Sequence, residues 1–248
     1  MKSSSKDLKN LAALPGALSG HDAETINSIL ELLVAPLQSA MTQPTEVVLH
    51  DLRRVPNTVR AIAGNVTGRQ VGHPPTDFLL ERLADGTLDN DIGYASHLPD
   101  GRQLRCSTIV FRDSRGLPAA ALCLNSDVSA WMTARSFIDG FMLGTTPASV
   151  LVTEAANAES EDPRSTEYFP HNVEELAGFL IHRAVADVGV PVELMRKEHK
   201  VQVVEDLEAK GYFLIKDAIE TIAAALQVSR FTIYNYLNEV NEGAEKSG

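Results

Sequence analysis

Cysteine is nearly absent from this chain of 248 residues: only Cys106 and Cys123 occur, and they form no Cys-x-x-Cys pair. A disulfide framework and a cysteine-held structural zinc are therefore excluded, and both thiols read as small buried apolar residues. Histidines with metal-ligand spacing are lacking too, so no metal is expected. No apolar run reaches eighteen residues, which argues against a spanning helix. The apolar patch following Met1 to Asn10 stops at Pro15 and Gly16, too short for a secretory core. The expectation is a cytoplasmic protein with no membrane contact, in which the sequon Asn65-Val66-Thr67 carries no meaning. Basic residues are also scarce: 22 Lys and Arg face 33 Asp and Glu, for a net charge of -11. Nucleic-acid binding through bulk charge is disfavoured by that balance, because such binding draws on counterion release by Lys and Arg.

Catalytic signatures are missing as well. The glycine-rich stretch Gly64 to Gly72 has no Gly-Lys-Ser/Thr ending, so ATP or GTP binding is rejected. There is no nucleophile elbow and no dinucleotide fingerprint. His50 and Asp51 are neighbours on a strand-like run and so point to opposite faces, which prevents an acid-base pair. No catalytic residue, no cofactor and no enzyme activity are expected.

What is present is an apolar fraction of 44%, that of a globular protein, in a chain long enough for two domains. Residues 1 to 20 read as a flexible tail. Ile26, Ile29, Leu30, Leu33, Val34 and Leu37 recur at helical spacing from Ala23 to Leu37. Thr45 to Leu52 and Val59 to Ala63 have strand character. Cys106 to Arg112 and Ala119 to Asn125 form a hairpin about Asp113-Ser114-Arg115-Gly116, apolar on both faces. An acidic linker spans about 141 to 170, and from 171 onward helical patterns cover Val173 to Val188 and Met195 to Lys210, the latter ended by Gly211. No internal repeat is visible. The fold class expected is α+β, with an antiparallel-sheet domain over 21 to 140 and an all-α domain over 171 to 248.

The most informative segment is Ile222 to Leu237. Ile222 and Leu226 lie one turn apart, Ala223 admits a crossing helix, Val228 plugs the corner, and Ser229 is a good N-cap for a second helix. Ile233 and Leu237 form that helix's buried stripe, leaving Arg230, Phe231, Tyr234 and Asn235 outside. This is the pattern of a helix-turn-helix, although a plain helical hairpin shares much of it. Gln227 stands where Gly is commonest in the turn, so strain or a different turn shape is expected. Arg230 and Asn235 suit base edges, while Ser229 and Thr232 suit phosphate. For Phe231 and Tyr234, contact with a thymine methyl and packing on a neighbouring helix both stay open. Residues 191 to 240 hold six basic residues (Arg196, Lys197, Lys200, Lys210, Lys216, Arg230) against eight acidic ones (Glu193, Glu198, Glu205, Asp206, Glu208, Asp217, Glu220, Glu239). Tight binding to DNA therefore calls for a dimer with its cations gathered on one face.

Together these residues resemble the YheO-like PAS domain followed by a helix-turn-helix, as in bacterial regulators of the D-arginine utilisation repressor type. The likeness runs through Glu46 to Leu52, Ile62 to Gly72 and Leu122 to Asn125, then through Lys200, Gly211, Phe213, Lys216 and Ala218 into Thr232 to Leu237. The resemblance implies a sensor domain coupled to a DNA-binding unit in a transcriptional regulator, with repression the expected sign. Its partners are a double-stranded DNA operator, a small-molecule effector and a second copy of the chain, in a homodimer or higher homo-oligomer. Candidates for the effector site are His50, Asn65, Thr67, Arg69, Ser107, Thr108 and Asn125. For each, a purely structural role stays open: Asn65 as a turn cap, for example, or Ser107 and Thr108 satisfied within the sheet. Arg69 sits beside glycines whose exposed N-H groups suit a carboxylate or phosphate. A second class, a sensor or adaptor whose helical unit binds protein, also stays open.

Overall fold

The computed structural model describes residues 22–143 and 167–247. The expected tail over 1 to 20 and most of the expected linker lie outside these residues. The chain divides into two compact units. The first comprises residues up to His50, 60–68 and 89–168, and the second 51–59, 69–88 and 169 onward. The second unit thus takes in segments, 51–59 and 69–88, that the sequence pattern places in the sensor domain.

The first unit is built on a five-stranded antiparallel sheet of order β2-β1-β5-β4-β3. Its strands are β1 (Thr45–Asp51), β2 (Val59–Ala63), β3 (Asp91–His97), β4 (Gln103–Arg112) and β5 (Pro118–Asp127). Helix α1 (Ala23–Ala40) is capped by Asp22, whose side chain accepts from the Thr25 N-H at 2.8 Å. Its buried residues Ile26, Leu30 and Val34 pack on Val47, Leu49, Ala120 and Leu122 of one sheet face. Ile29 and Leu33, expected on that stripe, are exposed.

Strand alternation puts Glu46, Val48 and His50 of β1 on the opposite face. Directly opposed residues share a face, so Cys106 with Asn125 and Thr108 with Cys123 join them. All of these are buried. Helix α3 (Ser129–Leu143) follows β5.

The second unit contains α2 (Asp77–Ala84), α4 (Val173–Val188), α5 (Lys197–Ala209), α6 (Ala218–Ala225) and α7 (Arg230–Ser247). Leu80, Leu176, Leu180, Val203, Val204, Leu207, Ile222, Leu226 and Ile233 share one core. Helix α4 is capped by Asn172, which accepts from the Glu175 N-H, and ends at left-handed Gly189. Gly211, at φ +73°, lies against α2; a Cβ there would meet the Leu80 carbonyl oxygen at 3.0 Å and the Ala84 Cβ at 2.7 Å.

Gly64 in the first unit is closely packed against main chain. Its φ is +90°, and an added Cβ would overlap the Thr45 carbonyl oxygen and come within 2.9 Å of the Glu46 Cα. Gly116 in the β4-β5 turn has a similar φ of +80° but open space around it. Gly116→Ala is expected to cost about 1–2 kcal/mol from the left-handed backbone alone. Gly64→Ala should cost a further ~1–3 kcal/mol from overpacking against main chain. Urea unfolding midpoints check the difference; equal losses would show that β1 does not hold the Gly64 backbone so closely.

Candidate nucleic-acid interface

The turn between α6 and α7 is closed by local chemistry. Val228 N-H donates to the Ala223 carbonyl at 2.9 Å and Gln227 N-H to that of Ala224 at 3.2 Å, with Gln227 left-handed at φ +53°. This is a Schellman ending with glutamine in the position that favours glycine. The turn therefore keeps its usual shape, and the departure from glycine appears as backbone strain at one residue. The Lys200 ammonium on α5 donates to the Leu226 carbonyl at 2.8 Å, supplying a partner and a positive charge to an orphan carbonyl at the helix end. Ser229 then caps α7, its Oγ accepting from the Thr232 N-H at 3.1 Å.

Ile222, Ala223, Leu226 and Ile233 are buried as their spacing requires, and Val228 packs against the same core. Leu237 is only partly buried; Tyr236, one position earlier, is the more enclosed residue of that turn. Tyr212 supports the start of α6 from below, its hydroxyl donating to the Ala218 carbonyl at 3.2 Å. Burial pushes that phenol up to about 12, so it stays a donor.

Arg230, Phe231, Tyr234 and Asn235 are exposed together on α7. For Phe231 and Tyr234 the relative exposures are 73% and 55%, so neither is held in the core. The Ser229 and Thr232 hydroxyls lie 2.9 Å apart, and since one proton serves that bond, the pair keeps one for an outside acceptor. Arg230 is engaged by Glu220 of α6 at 2.7 Å. The guanidinium holds the Glu220 carboxyl below its usual range, and the carboxylate raises Arg230 in return. Other cations are also paired: Lys197 with Glu239 at 2.7 Å, and Lys210 with Asp206 at 2.6 Å. Lys216 is exposed beside the N-terminus of α6.

The effector candidates are distributed unevenly. His50, Thr108 and Asn125 share the buried sheet face that carries Glu46. The Glu46 carboxylate accepts from Val66 N-H (3.0 Å), Thr67 N-H (3.1 Å), Thr67 Oγ1 (2.7 Å) and Asn125 Nδ2 (3.3 Å). This acid, absent from the sequence-based candidates, gives Thr67 and Asn125 a structural task. Tyr94 links the Thr108 hydroxyl (3.2 Å) to Glu167 (3.4 Å), and burial raises its phenol far above the ordinary value. Ser107 falls on the other face and accepts from the Gly93 N-H, while Asn65 is exposed. Arg69 belongs to the second unit, where its guanidinium lies 5.2 Å from the Phe169 ring centroid. Among the described residues, one groove of about 350 Å³ is lined by Thr45, Arg105, Ser126 and Trp131, and another of about 150 Å³ by Tyr94, Ser96, Leu104 and Met132. Neither includes any of the seven candidates.

Comparison with known proteins finds two domains in sequence order, the first of which takes in residues 51–59 and 69–88 of the second unit. Residues 21–143 match the YheO-like PAS domain, and residues 179–238 match an HTH domain. The chain is 32% identical over 202 residues to the transcriptional regulator DauR of Pseudomonas aeruginosa, covering 81% of this chain and 87% of that protein. It is 27% identical over 226 residues to an uncharacterized protein of Haemophilus influenzae, covering 90% and 95%. It is also 27% identical over 217 residues to the uncharacterized protein YheO of Escherichia coli, covering 86% and 84%.

Two substitutions probe the turn. Gln227→Gly is expected to be neutral or to stabilise by up to about 1 kcal/mol, whereas Gln227→Val should cost more than about 1 kcal/mol because a β-branched residue tolerates positive φ poorly. Lys200→Met leaves the Leu226 carbonyl without its cation and should cost about 1–2 kcal/mol. Thermal and urea unfolding check both; a stabilising Gln227→Val or a neutral Lys200→Met contradicts the geometry above.

Proposed function

The chain belongs to the family of transcriptional regulators that carry a YheO-like PAS domain ahead of an HTH domain, and from that premise we propose that it is a cytoplasmic, dimeric, ligand-responsive repressor of a catabolic operon. The family is one of regulators and not of enzymes. No helix among the described residues is long and apolar enough to cross a membrane. The sensor domain is assigned to about residues 21 to 140 and the DNA-binding domain to 171 to 248.

The observation that carries this reading is the outward face of α7. Arg230 and Asn235 offer paired donor and acceptor groups for base edges, and Ser229 and Thr232 offer a hydroxyl and a helix N-terminus for phosphate. Phe231 and Tyr234, being exposed, are assigned to thymine methyls or sugar. In a dimer the two recognition helices address half-sites about 34 Å apart, one DNA turn. The net charge of -11 and the ion pairs that occupy Lys197, Lys210 and Arg230 mean weak non-specific binding and a shallow salt dependence.

For the sensor domain, the buried polar sheet face that carries His50 and Thr108 supports recognition of a small polar metabolite. Such an effector shifts operator affinity only as far as it binds one conformation better than the other.

Enrichment of genomic fragments by the purified protein tests DNA binding and yields the operator. On the enriched site, Arg230→Ala is expected to weaken binding roughly 5- to 100-fold, the loss of one base-edge contact. Glu220→Gln removes the acid facing Arg230, so affinity should rise and the salt slope steepen by up to about one ion. Anisotropy titrations across salt concentration check this; two variants that bind as the parent does would remove Arg230 from the interface.

A further inference from the structure

Helix α3 has its residues inside out. Ser136 and Gly140, both small, are its buried positions, while Trp131, Phe137, Ile138, Phe141 and Met142 are 60 to 92% exposed. Trp131, Ala134, Ile138 and Phe141 are spaced three, four and three residues apart, the seam of a paired helix, with Phe137 and Met142 flanking. A monomer has no reason to keep so much apolar surface on one helix in water.

From this exposed seam we infer that α3 is the surface on which two copies of the chain associate, with the same face contributed by each. The inference rests on the regulator reading, which calls for two recognition helices per operator. Charge selects the occupant. The only charged residues of α3 are Arg135 and Asp139, of opposite sign and 3.4 Å apart, so the face is neutral in a chain of net charge -11. Two like-charged copies meet at least electrostatic cost on a neutral face, and an acidic or basic partner finds nothing there to hold. An anionic lipid surface is disfavoured because α3 lacks the cationic face of interfacial helices. The size also fits: at roughly 150–250 Å² for each aromatic, the five large side chains offer on the order of 700 Å² per copy, near the ~800 Å² per partner of a stable complex.

The test is the mass of the full chain by sedimentation equilibrium, without DNA. The parent is expected at twice the chain mass of 26.9 kDa, and Ile138→Glu combined with Phe141→Glu at the single mass with an unchanged circular dichroism spectrum. Both positions are exposed, so the monomer retains its fold, and Leu32→Glu on the exposed face of α1 should stay dimeric. A monomeric parent, as when residues 144–166 of the same chain cover α3, overturns the inference. So does a dimer that persists in the double variant or is broken by Leu32→Glu instead. These readings involve no nucleic acid, so failure here is distinct from failure of the Arg230 variants on the operator.

Discussion

The hydrogen bonds that close the α6-α7 turn set the direction in which α7 leaves the core. Two main-chain donors return to the Ala223 and Ala224 carbonyls, Lys200 takes the Leu226 carbonyl, and Ser229 takes a free N-H in the first turn of the next helix. With these groups satisfied and Ile222, Leu226 and Ile233 buried, the rotation of α7 about its axis is fixed, and Arg230, Phe231, Tyr234 and Asn235 have only the outside to occupy. The strain of a left-handed glutamine is the cost of this turn, and cooperative packing of three helices over it outweighs about 1 kcal/mol. Function follows from this turn more than from charge, since the unit that presents the face is not basic.

The first unit depends on a comparable constraint. Glu46 is a carboxylate near the start of a buried strand, and four donors converge on it from the Val66-Thr67 segment and Asn125. A buried acid without such donors is costly, and with them it locks a loop to a sheet. Its strand neighbours Val48 and His50 complete a face that is polar where a plain sandwich would be oily.

Much of this was legible in the residues. Helical periodicity marked α1, α4 and α5, the strands β1 and β2 stood out by strand character between turn residues, and the β4-β5 hairpin by two apolar runs about the turn Asp113 to Gly116. Ser229 as cap and Ile222, Leu226 and Ile233 as core followed from spacing alone. The elements that escaped have physical reasons. Helix α2 spans only Asp77–Ala84 and owes its place to Gly211 packing against it, a contact far away in sequence. Strand β3 is interrupted by a bulge at Gly93, which breaks its alternation. Helix α3 places small residues inside and large ones outside, the reverse of the rule used to read a buried face. Glu46 was absent from the candidates because its donors come from Val66 and Thr67, about twenty residues on, and from Asn125 on another strand, so no local pattern reports them. The Arg230–Glu220 pair spans the turn, where no periodic pattern reports it. Tyr236 is buried in the core and Leu237 packs only partly against it, where the spacing alone pointed to Leu237.

The central claim is that side chains of α7 read base edges. Its most direct measurement is the ratio of affinities for the enriched operator and for a scrambled duplex of equal length, taken for the parent and for Asn235→Ala at one salt concentration. The ratio is expected to fall roughly tenfold in the variant while affinity for the scrambled duplex holds, since a carboxamide contact to a base carries discrimination worth ~1–3 kcal/mol. An unchanged ratio would mean that this face of α7 does not read sequence.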